Sequence, residues 1–246
     1  MNLVLDIGNT RTKAAVFDNE TEVFFRYIDS DIEESLSSIL SLYPQINRSI
    51  VSSVREASLS VKILNLLSGK TECFLFDEKM PIPIKNTYAT PETLGKDRLA
   101  AAVGAFALFP NQNNLIIDAG TCITIDLIDN ENTYKGGTIL LGIQKKAEAL
   151  HTFTEKLPLI NLDFDTKIEV TGQTTIESIS SGVFNGTLFE INGFIEYYRH
   201  RYNNLNIILT GGDADYFDKC LKFKKFANPN LVLIGLNKIL NVNAKK

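Results

Sequence analysis

The sequence predicts an α/β protein in which one strand–hairpin–helix unit occurs twice. Three observations carry this. "LVLDIGNTRTKAAVFD" (Leu3 to Asp18) and "LIIDAGTCITIDLID" (Leu115 to Asp129) each run aliphatic, reach Asp-x-Gly with threonine close behind, and return to alternating apolar residues. Strands and helices follow each copy in a similar order. "PNQNN" at Pro110 to Asn114 is the best linker, which divides the chain into 1–112 and 113–246.

The elements follow in order. Leu3 to Ile7 is a continuous aliphatic run, the mark of a strand buried on both faces. Thr12 to Phe17 and Glu22 to Tyr27 continue at hairpin spacing around an Asn19-Glu20 turn. Asp31 to Leu42 reads as a helix with Ile32, Leu36, Ile39 and Leu40 on one stripe and Asp31 near its cap. Ser49 to Ser53 is a strand, Leu59, Ile63, Leu66 and Leu67 mark a helix before Gly69, and Cys73 to Phe76 is another strand.

Three prolines in "MPIPIKNTYATPETLGKDR" then predict an extended loop, because proline disfavours helix at the residue before it. A helix starts near Lys96 and runs through "LAAAVGAFALF" to Pro110, its alanines suited to close packing in an interior or an interface. The second half restarts with strands at Leu115 to Asp118, Thr124 to Ile128 and Thr133 to Leu140. "GIQKKAEALHTFTEKL" is expected to be helical, Leu157 to Lys167 irregular, and Thr174 to Tyr202 one long helix or two. "NIILTGGDA" is a late strand, "YFDKCL" a short helix, and "LVLIGLNKIL" closes the chain.

Bulk composition narrows the function. A chain of 246 residues, 44% hydrophobic and 22% charged, buries enough surface to fold without staples, roughly 70 to 75% of what it exposes unfolded. A net charge of −4 argues against bulk nucleic-acid or anionic-membrane binding, which call for a basic face. No apolar run reaches membrane-spanning length, and the opening residues enter a strand pattern at once, so a cytoplasmic protein is expected. Cys73, Cys122 and Cys220 form neither a disulfide framework nor a zinc pattern, and His151 and His200 stand apart from them.

The chemistry lies at the hairpin tips. A buried strand ending in Asp-x-Gly with threonines gathers backbone N–H groups, hydroxyls and one carboxylate at a tight turn. Glycine lets a bulky anion approach, and successive N–H groups suit phosphate oxygens. Asp6 and Asp118 would repel phosphate without a cation, so the pair implies a metal partner. "LTGGDA" adds two glycines and Asp213, with room for a flat ring against the backbone. "SGKT" at Ser68 to Thr71 is no P-loop, because the position needing glycine is Leu64. In "GKDR", Asp97 suits acceptance of a hydroxyl proton and Arg98 a bidentate grip on a carboxylate. The same pair also reads as a helix-start carboxylate beside a surface charge.

Taken together, "DIGNTRTK", "TY…TPETLGKDRLAAAVGA", "IIDAGTCITIDLID", "GGTILLGIQ", "TGQTTIESISSGVFNG" and "LTGGDA" resemble type III pantothenate kinase over nearly the whole chain. The resemblance implies duplicated actin-like (ribonuclease H-like) halves with mixed sheets and a cleft between them. It also implies ATP-dependent phosphorylation of pantothenate, the first step of coenzyme A synthesis, with Mg²⁺, a monovalent cation (K⁺ or NH₄⁺) and a homodimer. By position, Asp6, Ile7, Gly8, Asn9, Thr10, Arg11, Thr12 and Lys13 would bind the phosphates of ATP, and Thr121 would contact ATP. Asp118 would hold the monovalent cation. Tyr88, Gly95, Lys96, Asp97, Arg98 and Thr175 (or Thr174, one residue earlier) would contact pantothenate, with Asp97 as proton acceptor. Cys122, Leu141 and Lys96 depart from the residues usual at their places, where Ala, Pro and a small residue are expected. Kinases of other small alcohols or sugars, an exopolyphosphatase-like hydrolase and a nucleotide-binding accessory to transcription are the competing readings.

Overall fold

The structure, a computed structural model, describes residues 1–8, 10–28, 31–54 and 57–244, with 57 and 58 as backbone only. By its contacts the chain forms two units. The first comprises Met1–Asn111, Ile128–Gly136 and Asn230–Lys246, and the second Gln112–Leu127 and Gly137–Pro229.

The first unit grows from the aliphatic run. β1 (Asn2–Ile7) is buried at every residue, as a central strand covered on both faces must be. It pairs antiparallel with β2 (Thr12–Asp18), which pairs antiparallel with β3 (Thr21–Ile28) around Asn19, whose φ of 55° suits a tight turn. α1 (Ile32–Leu42) is capped by Asp31, whose carboxylate accepts the N–H groups of Glu33 and Glu34 and so satisfies two donors that the helix cannot. β4 (Arg48–Ser53) lies parallel to β1, α2 (Ala57–Leu67) follows, and β5 (Glu72–Leu75) lies parallel to β4. The mixed sheet runs β3-β2-β1-β4-β5. "SGKT" forms only the turn from α2 to β5, with Gly69 at φ 75°.

After β6 (Lys85–Asn86), helix α3 (Lys96–Leu108) is buried from Arg98 to Ala105. Its partner is the last helix, α7 (Leu231–Asn243), and the two touch through glycines. A Cβ on Gly104 would sit 2.2 Å from the Leu231 carbonyl oxygen, and one on Gly235 would sit 1.8 Å from that of Ala100. α7 is tied to the sheet by polar groups as well. The Asn2 amide donates to Asn237 and Asn241, each at 2.8 Å, and Asn237 donates to the Asn19 carbonyl at 2.8 Å.

The second sheet repeats the plan with β7 (Asn114–Ala119), β8 (Cys122–Ile128), β9 (Thr133–Leu141), β10 (Asn206–Thr210) and β11 (Phe226–Ala227), in the order β11-β10-β7-β8-β9-β6. Read from the β9 side, the order of third, second, first, fourth and fifth strand is that of the first sheet, with β6 added beside β9 at Thr133 and Tyr134. The duplication expected from the two hairpins is therefore a duplication of topology.

One helix of the second half is shorter than the sequence pattern, and another takes the first of two forms left open there. α4 (Ile143–Thr152) stops short of Leu157: Phe153 is 85% exposed, the Thr154 hydroxyl donates to the Leu150 carbonyl, and Leu157 packs on the core from outside the helix. α5 (Thr175–Arg199) is one helix of 25 residues, with buried Ile179, Val183, Phe184, Thr187, Ile191 and Ile195 holding a stripe through its three glycines. A short α6 (Ala214–Cys220) follows β10. No helix among the described residues is long and apolar enough to cross a membrane.

The crossing of α3 and α7 yields a prediction. Gly235→Ala should lower stability by about 1–3 kcal/mol, the usual cost of forcing a methyl into a close-packed contact, read as a fall in the urea midpoint. An unchanged midpoint would refute the close approach.

Candidate active site

The two Asp-x-Gly turns occupy equivalent places. Asp6 is the fifth of six residues in β1 and Asp118 the fifth of six in β7. In the first turn the Gly8 N–H donates to the Arg11 carbonyl at 3.1 Å, one step beyond the Ile7–Thr12 pair, and Val54 N–H donates to the Ile7 carbonyl at 3.1 Å. Asp6 is buried, Thr10 and Arg11 are exposed, Thr12 is buried and Lys13, opposite Asp6 in the ladder, is half-buried. Arg11 places its guanidinium 5.1 Å above the Tyr27 ring. Asn9 lies outside the described residues. On β4, Ser52 is in register with Asp6, so both side chains share one face of the sheet; its fully buried hydroxyl has no hydrogen-bond partner among the described residues.

The second turn is shorter, with only Gly120 and Thr121 between the strands, and the Gly120 N–H donates to the Cys122 carbonyl at 3.0 Å. Two glycines hold it: Gly142, to which the sequence assigned no role, and Gly211, one of the pair expected to leave room for a flat ring. Gly142 donates its N–H to the Thr121 carbonyl at 3.0 Å, and a Cβ there would lie 1.9 Å from the Gly120 oxygen. Gly211, at φ 93°, presses on the end of β7: its Cβ would meet the Ala119 oxygen at 2.2 Å and Asp118 Oδ1 at 2.5 Å. Of the two glycines in "LTGGDA", Gly212 is therefore the one with open space around it. Cys122 is an exposed free thiol at the start of β8.

The start of α3 gathers most of the residues expected to meet pantothenate. The helix begins without a side-chain cap, and Gly95 explains why. Asp97 folds back so that its Oδ1 accepts the Arg98 N–H at 2.9 Å, and a Cβ on Gly95 would lie 2.5 Å from that same oxygen. Lys96 and Asp97 are half-buried in the first turn, while Arg98 is 6% exposed with its guanidinium 5.7 Å above the Tyr88 ring. Tyr88 is half-buried, its N–H donates to Asn86 Oδ1 at 3.0 Å, and its ring lies 6.2 Å from that of fully buried Tyr134. A carboxylate, a guanidinium and an aromatic face thus meet at one helix start.

At the start of α5 the two candidate threonines separate by role. Thr174 is the cap, its hydroxyl accepting the Glu177 N–H at 3.2 Å while Glu177 Oε2 accepts the Gln173 N–H at 2.7 Å. Thr175 is the first helical residue and is exposed. A cavity of about 490 Å³ also lies in the second unit, lined by Arg199, Tyr202, Asn206 and Phe223 among others, and none of the expected site residues lines it.

Burial pushes the Asp213 carboxyl above the ordinary carboxylate range. Its proton is then held more tightly in the folded chain, a contribution to stability that is full below the unfolded pKa and lost as pH rises through the folded one. Asp213→Asn cannot ionise, so its urea midpoint should exceed wild type at about pH 7 and match it at about pH 3. Equal midpoints at both values would remove the burial penalty.

The sequence profile of the type III pantothenate kinase family matches residues 2–197. A type III pantothenate kinase from Flavobacterium johnsoniae is 42% identical over 240 residues, covering 96% of each chain. Among solved structures, a Campylobacter jejuni protein assigned by inference to the Baf family of transcriptional activators aligns at a TM-score of 0.65 and 20% identity, covering 99% of this chain and 100% of its own. The activator of 2-hydroxyisocaproyl-CoA dehydratase from Clostridium difficile, with bound ADPNP, aligns at 0.57 and 13% identity, covering 99% and 95%. These two likenesses speak to the fold alone, which is the duplicated actin-like one. With a profile match over most of its length and a relative so similar from end to end, this chain belongs to the type III pantothenate kinase family.

Proposed function

We propose that this chain transfers the γ-phosphoryl group of ATP to the primary hydroxyl of pantothenate, giving 4′-phosphopantothenate in the first step of coenzyme A synthesis. Family membership supports the reaction, and the observation that carries its chemistry is the cluster of Asp97, Arg98 and Tyr88 at the start of α3. Arg98 and Tyr88 orient pantothenate, the guanidinium gripping its carboxylate, and Lys96, Gly95 and Thr175 add contacts. Asp97 Oδ1 is fixed by the Arg98 N–H, which leaves Oδ2 to take the hydroxyl proton as the new P–O bond forms. The residues Asp6 to Lys13 and Thr121 hold the phosphates of ATP. Since phosphoryl transfer needs little covalent chemistry from a protein, positioning and charge neutralisation supply most of the acceleration.

Cations fit this donor set. Both turns offer oxygen ligands, Asp6 beside the unpartnered Ser52 hydroxyl and Asp118 beside backbone carbonyls, as hard cations prefer. Among the described residues no three His, Cys, Asp or Glu side chains gather around one point. Mg²⁺ would be held by Asp6 together with ATP phosphates, and K⁺ or NH₄⁺ by Asp118; bound there, they would neutralise phosphate charge.

The working form we propose is a cytoplasmic homodimer. On α5, Gly182, Gly186, Phe189 and Gly193 follow one another at spacings of four, three and four on a single face. Phe189 is 60% exposed and all three glycines have open space beside them. Such a face lets the same helix of a second copy approach closely about a two-fold axis.

Asp97→Asn keeps the shape of the helix start and removes the base, so turnover should fall by about 10²- to 10⁴-fold with the fold intact by circular dichroism. Near-normal turnover would take Asp97 out of its role. In wild type, ADP release should depend on pantothenate and rise when Na⁺ is replaced by K⁺ or NH₄⁺; release without pantothenate would point to a hydrolase instead. Phe189→Glu should shift the mass measured by light scattering from two chains to one, and a dimer that persists would move the interface elsewhere.

A further inference from the structure

The sequence holds two adjacent glycines, Gly136 and Gly137, and the structure separates their reasons. Gly137 avoids its own sheet, since a Cβ would lie 2.0 Å from the Ile125 carbonyl oxygen. Gly136 faces a different neighbour. It sits in β9 at φ 88°, and a Cβ there would approach Cδ2 and Cε2 of Tyr88 to 3.2 and 3.3 Å.

Those contacts are tighter than ordinary van der Waals distance, so the ring would have to yield by a few tenths of an ångström. It has little freedom to do so. The Arg98 guanidinium lies 5.7 Å from its centroid and the fully buried Tyr134 ring 6.2 Å from it. The backbone leading into it is tethered twice: Tyr88 N–H donates to Asn86 Oδ1 at 3.0 Å, and the Thr87 hydroxyl donates to the Tyr134 carbonyl at 2.8 Å. A displaced Tyr88 ring would therefore shift relative to the Arg98 guanidinium above it.

We infer that Gly136 is a positioning residue for pantothenate: the bare backbone at this point is the floor on which the Tyr88 ring lies, and the ring in turn sets the Arg98 guanidinium. The inference rests on the proposed contact of Tyr88 with pantothenate. It assigns Gly136 no contact with the substrate.

The test is a double-mutant cycle of Gly136→Ala and Tyr88→Ala, with KM for pantothenate, KM for ATP and kcat measured for all four proteins. Gly136→Ala alone should raise the pantothenate KM by about three- to tenfold while the ATP KM stays at its wild-type value. In the Tyr88→Ala background, where no ring remains to be displaced, the same substitution should leave the pantothenate KM unchanged. An equal effect in both backgrounds would reflect backbone strain at a positive φ and would overturn the inference, as would no effect of Gly136→Ala in the presence of Tyr88. If Gly136→Ala fails to fold, it should fold once Tyr88→Ala is added; failure in both backgrounds overturns the inference. A Tyr88→Ala protein with wild-type pantothenate KM would instead sink the underlying contact, a result distinct from all the others.

Discussion

A carboxylate held at the fifth position of a buried six-residue strand is the constraint on which the rest of this molecule depends. It occurs at Asp6 and again at Asp118. Asp6 is buried and Asp118 half-buried, and a charge withdrawn from water is costly unless partners meet it, so each strand must end at a turn rich in donors and hydroxyls. The glycine after each carboxylate provides that turn, and the flanking aliphatic residues keep the strand in the sheet centre. The order of strands is then the same in both sheets because both are built outward from the same hairpin.

Close backbone approach is the second theme, and glycine is its instrument at several distant points. Gly142 and Gly211 brace the second turn, Gly104 and Gly235 seat α7 on α3, and Gly95 admits the Asp97 carboxylate. In each case the absent Cβ is replaced by a carbonyl or carboxylate oxygen of another residue. Backbone is packed closely at these positions, and close packing suits a reaction driven by positioning rather than by covalent chemistry. Asp97 illustrates the coupling: one oxygen is used to hold the carboxylate still, so the other is presented in a defined direction.

Much of the fold was legible because its signals are local. Continuous aliphatic runs marked β1 and β7, the cap at Asp31 marked α1, and the alanine-rich run marked α3 as a closely packed helix of an interior or an interface. The end of α4 was not legible, since the pattern of residues past Thr152 does not show that Phe153 is left in solvent while Leu157 reaches the core from a non-helical segment. At the site, the residues expected to bear on pantothenate included Tyr88, Gly95, Asp97 and Arg98, and the structure brings these four together. Thr174 and Thr175 could not be told apart in sequence; the capping bond to Glu177 occupies the hydroxyl of the first.

What the sequence by itself determined was the pair of turns and the acid beside the guanidinium, because turn chemistry and burial period are written within a few neighbouring residues. Tertiary structure alone decided that the final helix belongs with the first sheet, that Tyr88 comes close to both Tyr134 and Arg98, and that Gly136, Gly142 and Gly211 must stay bare. The physical reason is the same throughout. A residue's need for no side chain is set by the atom that approaches it, and here that atom belongs to a part of the chain tens of residues away.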